Sequence, residues 1–402
     1  MTQTPEADAA SPRGGLTAAA IAALLVCSTV LGLAGTDLVL PAIPSLPAIL
    51  HGTITQAQWV LASFTAGTGV GLLLFGELGT RVRTRPLLAA ALLAYAATSA
   101  AAALAHSLTL LVLLRFLQGV VAACAAVVAP GIVRALFDRE RALRAIGILG
   151  SIESLAPAIA PLIGVWLLSI GGWTASFWVT AMLAGALALL VALTGSRFPD
   201  LPGNPAKTGY VQLLRSERFQ RYALSQGLAL ASLLIFVFAM PTVFVVALGN
   251  EVREFIIMQI LGISCFIVAA NLSSTLVKRF GTDTVIFWGG VIALVSSTAM
   301  FGYGALGGRE PLVIWLLFMP MNMGYGFRGP AGFLAALEAS DGDDGRAAAL
   351  VVLYVMLATA LGTALLSPFV AQDLWPAAAA SVVASLISVI LHRARQGVLS
   401  DG

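Results

Sequence analysis

Four charged residues stand inside long apolar runs of a 402-residue chain: Asp37, Arg115, Glu153 and Arg328. A carboxylate in such a setting can hold and release a proton, and a guanidinium can steer that exchange by pairing with it. Asp37 precedes Pro44 by seven residues and Arg115 follows Ser107 by eight. At ~1.5 Å per helical residue, both lie about 10 Å inside their segments. A charge pair across an internal cavity is therefore geometrically possible. Glu153 lies ten residues into its run, roughly 15 Å deep; it is a candidate for proton exchange or substrate contact, the alternative being a carboxylate satisfied by water. Arg328 is flanked by Gly326, Gly329 and Pro330, which predicts an irregular backbone of the kind tolerated beside a cavity. Cys27, Cys124 and Cys265 are scattered, without metal or redox spacing. His51, His106 and His392 fall at or beyond segment ends, so any proton carrier inside these runs must be a carboxylate. Met319, Met321 and Met323 could suit a soft metal, but Pro320 breaks their spacing, and packing is the simpler reading.

The elements that must position these residues follow from composition. The chain is 59% hydrophobic and 10% charged, with a mean hydropathy of +0.95. A soluble domain carries about 25% charged residues, so lipid is the expected solvent. A soluble enzyme, a secreted disulfide scaffold and a nucleic-acid-binding domain are excluded. Twelve helices are predicted near 16–42, 56–79, 86–105, 108–131, 143–168, 174–195, 219–248, 254–277, 284–306, 311–337, 346–370 and 375–392. Residues 1–15 read as a tail, 16–195 as a first six-helix bundle, and 196–218 as a polar linker. A second bundle, 219–392, and a tail, 393–402, complete the chain.

Charge sets the expected orientation. With the N-terminus in the cytoplasm, eighteen of the 22 Lys and Arg residues fall on the inside and only Arg253 and Arg309 outside. Arg115 and Arg328 make up the remainder. The positive-inside rule then places both termini in the cytoplasm, and the net charge of +3 is topological rather than a nucleic-acid patch.

Several motifs resemble those of the major facilitator superfamily. Gly76-Glu77-Leu78-Gly79-Thr80-Arg81-Val82-Arg83-Thr84-Arg85 resembles its loop between helices 2 and 3, with a weaker echo at Lys278-Arg279. Leu114-Arg115 through Gln118-Gly119 is similar to a motif of proton-coupled members. Pro157 through Pro161 to Gly164 looks like the antiporter motif, with Ala160 and Val165 where the family has glycines. Asp37 through Pro41 to Pro44 resembles a signature of drug:proton antiporters, and Met240-Pro241 looks specifically like the Bcr/CflA drug-resistance subfamily, including phenicol exporters. Thr80 stands where the family loop has an aspartate, and Glu77, four residues before Arg81, could replace it.

The resemblance implies an all-α membrane protein with twelve transmembrane helices in two pseudo-symmetric bundles. It implies a proton-coupled exporter of small amphipathic drugs in the bacterial inner membrane, monomeric and without a cofactor beyond the proton gradient. Its partners would be a small-molecule substrate, protons and the lipid bilayer. Asp37 and Arg115 would couple protons, and Glu153, at a position where that subfamily is usually apolar, joins them from its depth rather than from the resemblance; Asp37, Glu153, Gln118, Met240 and Arg328 would line the substrate cavity. Gly76, Glu77, Arg81, Arg85, Gly119, Pro157, Pro161, Gly164 and Arg279 would serve gating or structure. An importer of a nutrient, metabolite or metal ion on the same fold is the alternative. A sensor would need an appended soluble domain, and no nucleotide-binding P-loop is present to power a pump.

Overall fold

The computed structural model describes residues 15–195, 198–199, 210–340 and 344–393. It is all-helical over these residues, with twelve long helices. They are α1 (Gly15–Asp37), α2 (Ile54–Arg81), α3 (Thr84–Ala103), α4 (Leu108–Leu136), α5 (Arg139–Gly171) and α6 (Ala175–Leu193). The second set comprises α7 (Glu217–Thr242), α8 (Val252–Phe280), α9 (Thr282–Ala305), α10 (Pro311–Glu338), α11 (Asp344–Leu366) and α12 (Trp375–Arg393). Ten helical segments among the described residues are long and apolar enough to cross a membrane. Most of the expected linker lies outside the described residues. Its last part forms a short helix, Tyr210–Arg215, whose Leu213 is buried in the core of the second half.

Local chemistry fixes the helix ends. Thr53 and Gln56 form a reciprocal capping box at the start of α2, and Ser107 and Ser216 cap α4 and α7 through Leu110 N–H and Phe219 N–H. Gly281, at φ 84°, turns α8 directly into α9, a conformation that glycine adopts without a Cβ penalty.

Helix packing repeats with an offset of six. α2–α4 corresponds to α8–α10, α3–α6 to α9–α12, and α3–α4 to α9–α10. α1 rests on α4, α5 and α6 as α7 rests on α10, α11 and α12. Between the halves, α2 packs along α11, and the symmetric contact of α5 with α8 is much smaller. At the end remote from both termini, one apolar core joins the halves, with Leu40, Ile43, Val60 and Leu61 against Phe236, Met240, Val243 and Phe244. At the terminal end each half has its own core, around Leu88 and Ile132 in the first and around Phe219 and Val351 in the second. The bundle is closed at the remote end.

Candidate functional site

Asp37 is the last residue of α1 rather than an interior residue of a helix reaching 42. Pro41 and Pro44 lack the N–H groups that would continue the ladder, so the chain tightens into a 3-10 helix at Leu40–Ser45. Asp37 is 8% exposed. Two glycines bring its surroundings close. A Cβ on Gly164 would collide with the Leu38 carbonyl, and one on Gly35 with the Tyr95 hydroxyl and the Phe64 ring. Helix α5 therefore lies directly against the backbone that follows Asp37.

Arg115, on α4, is 1% exposed. Its Nε donates to the Val60 carbonyl at 3.4 Å and its Nη1 to Gln118 Oε1 at 3.2 Å. The guanidinium carbon lies 4.1 Å from the centre of the Phe64 ring and 5.8 Å from that of Phe177, which compensates part of the desolvated charge. Gln118 Nε2 in turn donates to Ser99 Oγ at 2.7 Å. The second terminal nitrogen, Nη2, is buried without a hydrogen-bond partner. Arg115 is within charge–charge reach of Asp37 and Tyr95, yet Asp37 and Arg115 form no ion pair. The expected pair is thus an electrostatic neighbourhood, with the guanidinium turned toward α2 and Gln118. Tyr95, Ser99 and Phe64 carry no charge and match no motif, so sequence reasoning missed them.

Other expected site residues sit elsewhere. Helix α10 is continuous through Pro320 and Pro330, so the irregular backbone expected at Arg328 is absent. Arg328 is 2% exposed and lies inside the second half, where Nη1 donates to Ser388 Oγ and Nη2 to Ser225 Oγ, both at 2.9 Å. Above it, Ser232, Ser381, Ser385 and Tyr325 form a buried hydroxyl cluster with separations of 2.6–2.9 Å. Met240 is fully buried in the shared core of the remote end, and Gln118 is buried on Arg115. The side chains of Glu153 and Pro157 lie outside the described residues; Pro161 is buried. His392 stands in the last turn of α12, at the helix end as expected, but it is 2% exposed, with Nε2 3.1 Å from the Asp283 carbonyl.

The segment expected as a loop is the end of α2 as far as Arg81, and there Glu77 accepts from Arg81 one turn on at 2.6 Å with both side chains exposed, a geometry that stabilises little. Arg85 donates to the Ala192 carbonyl at 2.6 Å and so closes the end of α6. Gly76 faces the Tyr210 hydroxyl, and Arg279 lies over the Phe280 ring. Among the described residues, no group of three or more His, Cys, Asp or Glu could hold a metal. An apolar groove of about 630 Å³ opens between α7, α11 and α12, lined by residues such as Ile235, Leu361, Trp375 and Ile387. It holds none of the expected site residues.

Two side chains of α2 bond across the halves at the closed end. Gln58 Nε2 donates to Thr242 Oγ1 at 2.8 Å and Trp59 Nε1 to Ser367 Oγ at 3.2 Å. Gln58 and Thr242 are each 1% exposed. Removing both bonds, worth about 1–3 kcal/mol together, should favour the conformation open at this end by roughly tenfold. Spin labels at exposed Ile49 and Phe369, in a cysteine-free background, should show a longer distance gaining population in Gln58→Leu/Trp59→Phe. An unchanged distance distribution would show that the two bonds do not hold the end closed.

Comparison with known proteins agrees with this architecture. The family model for the Major Facilitator Superfamily matches residues 25–363. An uncharacterized MFS-type transporter of Bacillus subtilis, YdgK, is 28% identical over 84% of this chain and 86% of its own. Multidrug resistance protein MdtL of Escherichia coli is 28% identical over 58% of this chain, a match that spans 60% of MdtL. Among solved structures, a bacterial homolog of the human lysosomal transporter Spinster, in an inward-facing and unoccupied conformation, superposes with a TM-score of 0.73 at 16% identity. That alignment covers 94% of this chain and 97% of the other.

Proposed function

This chain belongs to the Major Facilitator Superfamily, a multi-pass membrane transporter rather than an enzyme, and on that premise we propose that it exports small amphipathic drugs in exchange for protons. It would act as a monomer in the bacterial cytoplasmic membrane, with both termini in the cytoplasm and with no cofactor besides the proton gradient. The observation that carries this reading is a buried carboxylate, Asp37, beside a buried guanidinium, Arg115, that is within reach of its charge but not bonded to it.

Two buried opposite charges left unpaired are costly, so the unpaired arrangement fits a protonated Asp37. When the proton leaves, Arg115 can give up Gln118 and the Val60 carbonyl for the bare carboxylate. Because Gly164 of α5 rests on the Leu38 carbonyl, movement at the end of α1 is felt by α5, which touches α8 of the other half. With the basic end cytoplasmic, closure at the remote end shuts the substrate path toward the outside. Glu153, also on α5, would add recognition of cationic substrates. The motifs resembling Bcr/CflA exporters and the name of the MdtL relative support a drug substrate, of phenicol type in the first instance.

The test is a resistance profile of cells expressing the protein, with and without a proton uncoupler. Raised resistance to phenicols and other amphipathic antibiotics, abolished by the uncoupler, is expected. Unchanged resistance, together with improved growth on a scarce nutrient or metal, would mark an importer instead.

A further inference from the structure

We infer that Ser99 is a positioning residue for Arg115, acting through the amide of Gln118, and that it sets the pH range in which Asp37 and Arg115 exchange partners. This rests on the coupling role proposed above. The Ser99 hydroxyl accepts from Gln118 Nε2 at 2.7 Å, and Gln118 Oε1 accepts from Arg115 Nη1 at 3.2 Å. Ser99 is 0% exposed and Gln118 and Arg115 are each 1% exposed, so water cannot replace a missing partner.

The two ends of an amide are opposite in kind, and only its oxygen can face a guanidinium. Holding the oxygen toward Arg115 commits the nitrogen to the far side, where it needs an acceptor. Ser99 supplies it. Without Ser99, the state with Arg115 on Gln118 contains a buried, unpartnered N–H2 group. The state with Arg115 on Asp37 leaves the amide free to turn and escapes much of that cost. Losing Ser99 therefore shifts the balance toward the pair, in which Asp37 is ionised, and more acid is needed to reverse it. The penalty for an unpartnered buried donor corresponds to about tenfold in population, or about one pH unit.

The other half provides an internal control. With α3 and α9 aligned from their first residues, Ser99 falls on Ser297; with α4 and α10 aligned likewise, Gln118 falls on Met321 and Arg115 on Phe318. Ser297 Oγ donates to Met321 Sδ at 3.2 Å. The scaffold contact is repeated, but only the first half attaches it to a charge. Among the described side chains, the titratable groups close enough to act on the charge of Arg115 are Asp37 from α1 and Tyr95 from α3. Helices α2 and α6 present Phe64 and Phe177, and the Glu153 side chain of α5 lies outside the described residues.

The experiment measures two things in full-length Ser99→Ala, Ser99→Thr, Gln118→Leu and Ser297→Ala. One is the pH profile of chloramphenicol transport in proteoliposomes. The other is the infrared carboxyl band of Asp37, assigned by its loss in Asp37→Asn and titrated without substrate. Both midpoints should fall by about one unit in Ser99→Ala and in the amide-free Gln118→Leu. Ser99→Thr should restore them, and Ser297→Ala should leave them in place. Unmoved midpoints in Ser99→Ala, or an equal shift in Ser297→Ala, would overturn the assignment. A shifted infrared titration with transport indifferent to a pH gradient would keep the role of Ser99 and reject proton coupling.

Discussion

Arg115→Ala is expected to reduce gradient-driven transport at least about 100-fold while the protein still reaches the membrane. The guanidinium is held by the Val60 carbonyl, Gln118 and the face of Phe64, and it is the cationic neighbour whose charge Asp37 feels. Once Asp37 ionises in the proposed cycle, the variant would leave that carboxylate without its cation, a loss of about 3–5 kcal/mol for a buried pair, which exceeds a 100-fold effect. Insertion should survive, since an arginine near a helix centre itself disfavours insertion by about 2.5–3.5 kcal/mol. Arg115→Lys should not rescue, because a compact ammonium cannot stack on Phe64 and reach two acceptors in the planar geometry of a guanidinium. Uptake of a fluorescent substrate into inverted vesicles, normalised to membrane-inserted protein, checks both variants. Wild-type uptake by Arg115→Ala would remove the residue from the mechanism.

The second large effect is expected at Gly119. A Cβ there would overlap the Phe64 carbonyl, and Gly67 and Gly71 of α2 meet the carbonyls of Phe116 and Val120 in the same way. Small residues on both helices let α2 and α4 approach backbone to backbone, a main source of helix association where water exclusion gives none. Gly119→Val should therefore push α4 off α2, displacing Arg115 from the Val60 carbonyl. Overpacking of this kind costs about 1–3 kcal/mol. The purified variant should melt earlier in detergent and lose transport, whereas Gly302→Ala, at a glycine with open space around it, should behave as wild type. A Gly119→Val protein with normal melting and normal transport would contradict the close approach.

Much of the fold was legible because its determinants are local. Apolar runs bounded by Gly, Pro and charge mark each long helix. The end of α1 was misread because the prolines at 41 and 44 still lie in an apolar run, and hydropathy does not register a missing N–H. In the site, Asp37, Arg115 and Gln118 stood out by type and spacing. Their orientation did not: whether Arg115 faces Asp37 or Gln118 depends on α2 and α3, far away in sequence. Arg328 shows the same limit from the other side. Its charge and its glycine neighbours suggested a cavity wall, but serines on α7 and α12 absorb it inside the second half. The burial of His392 likewise follows from packing against α7 and α9, which its position near the chain end did not reveal.

If proton entry drives substrate exit through Asp37, purified protein in proteoliposomes loaded with a pH-sensitive dye will report it. Adding chloramphenicol to wild-type vesicles at zero membrane potential should move protons opposite to the drug, and an imposed pH gradient should concentrate the drug. Asp37→Asn should still let drug equilibrate but should move no protons and build no gradient. Drug accumulation in wild-type vesicles that ignores the pH gradient, or proton movement that persists undiminished in Asp37→Asn, would contradict the account.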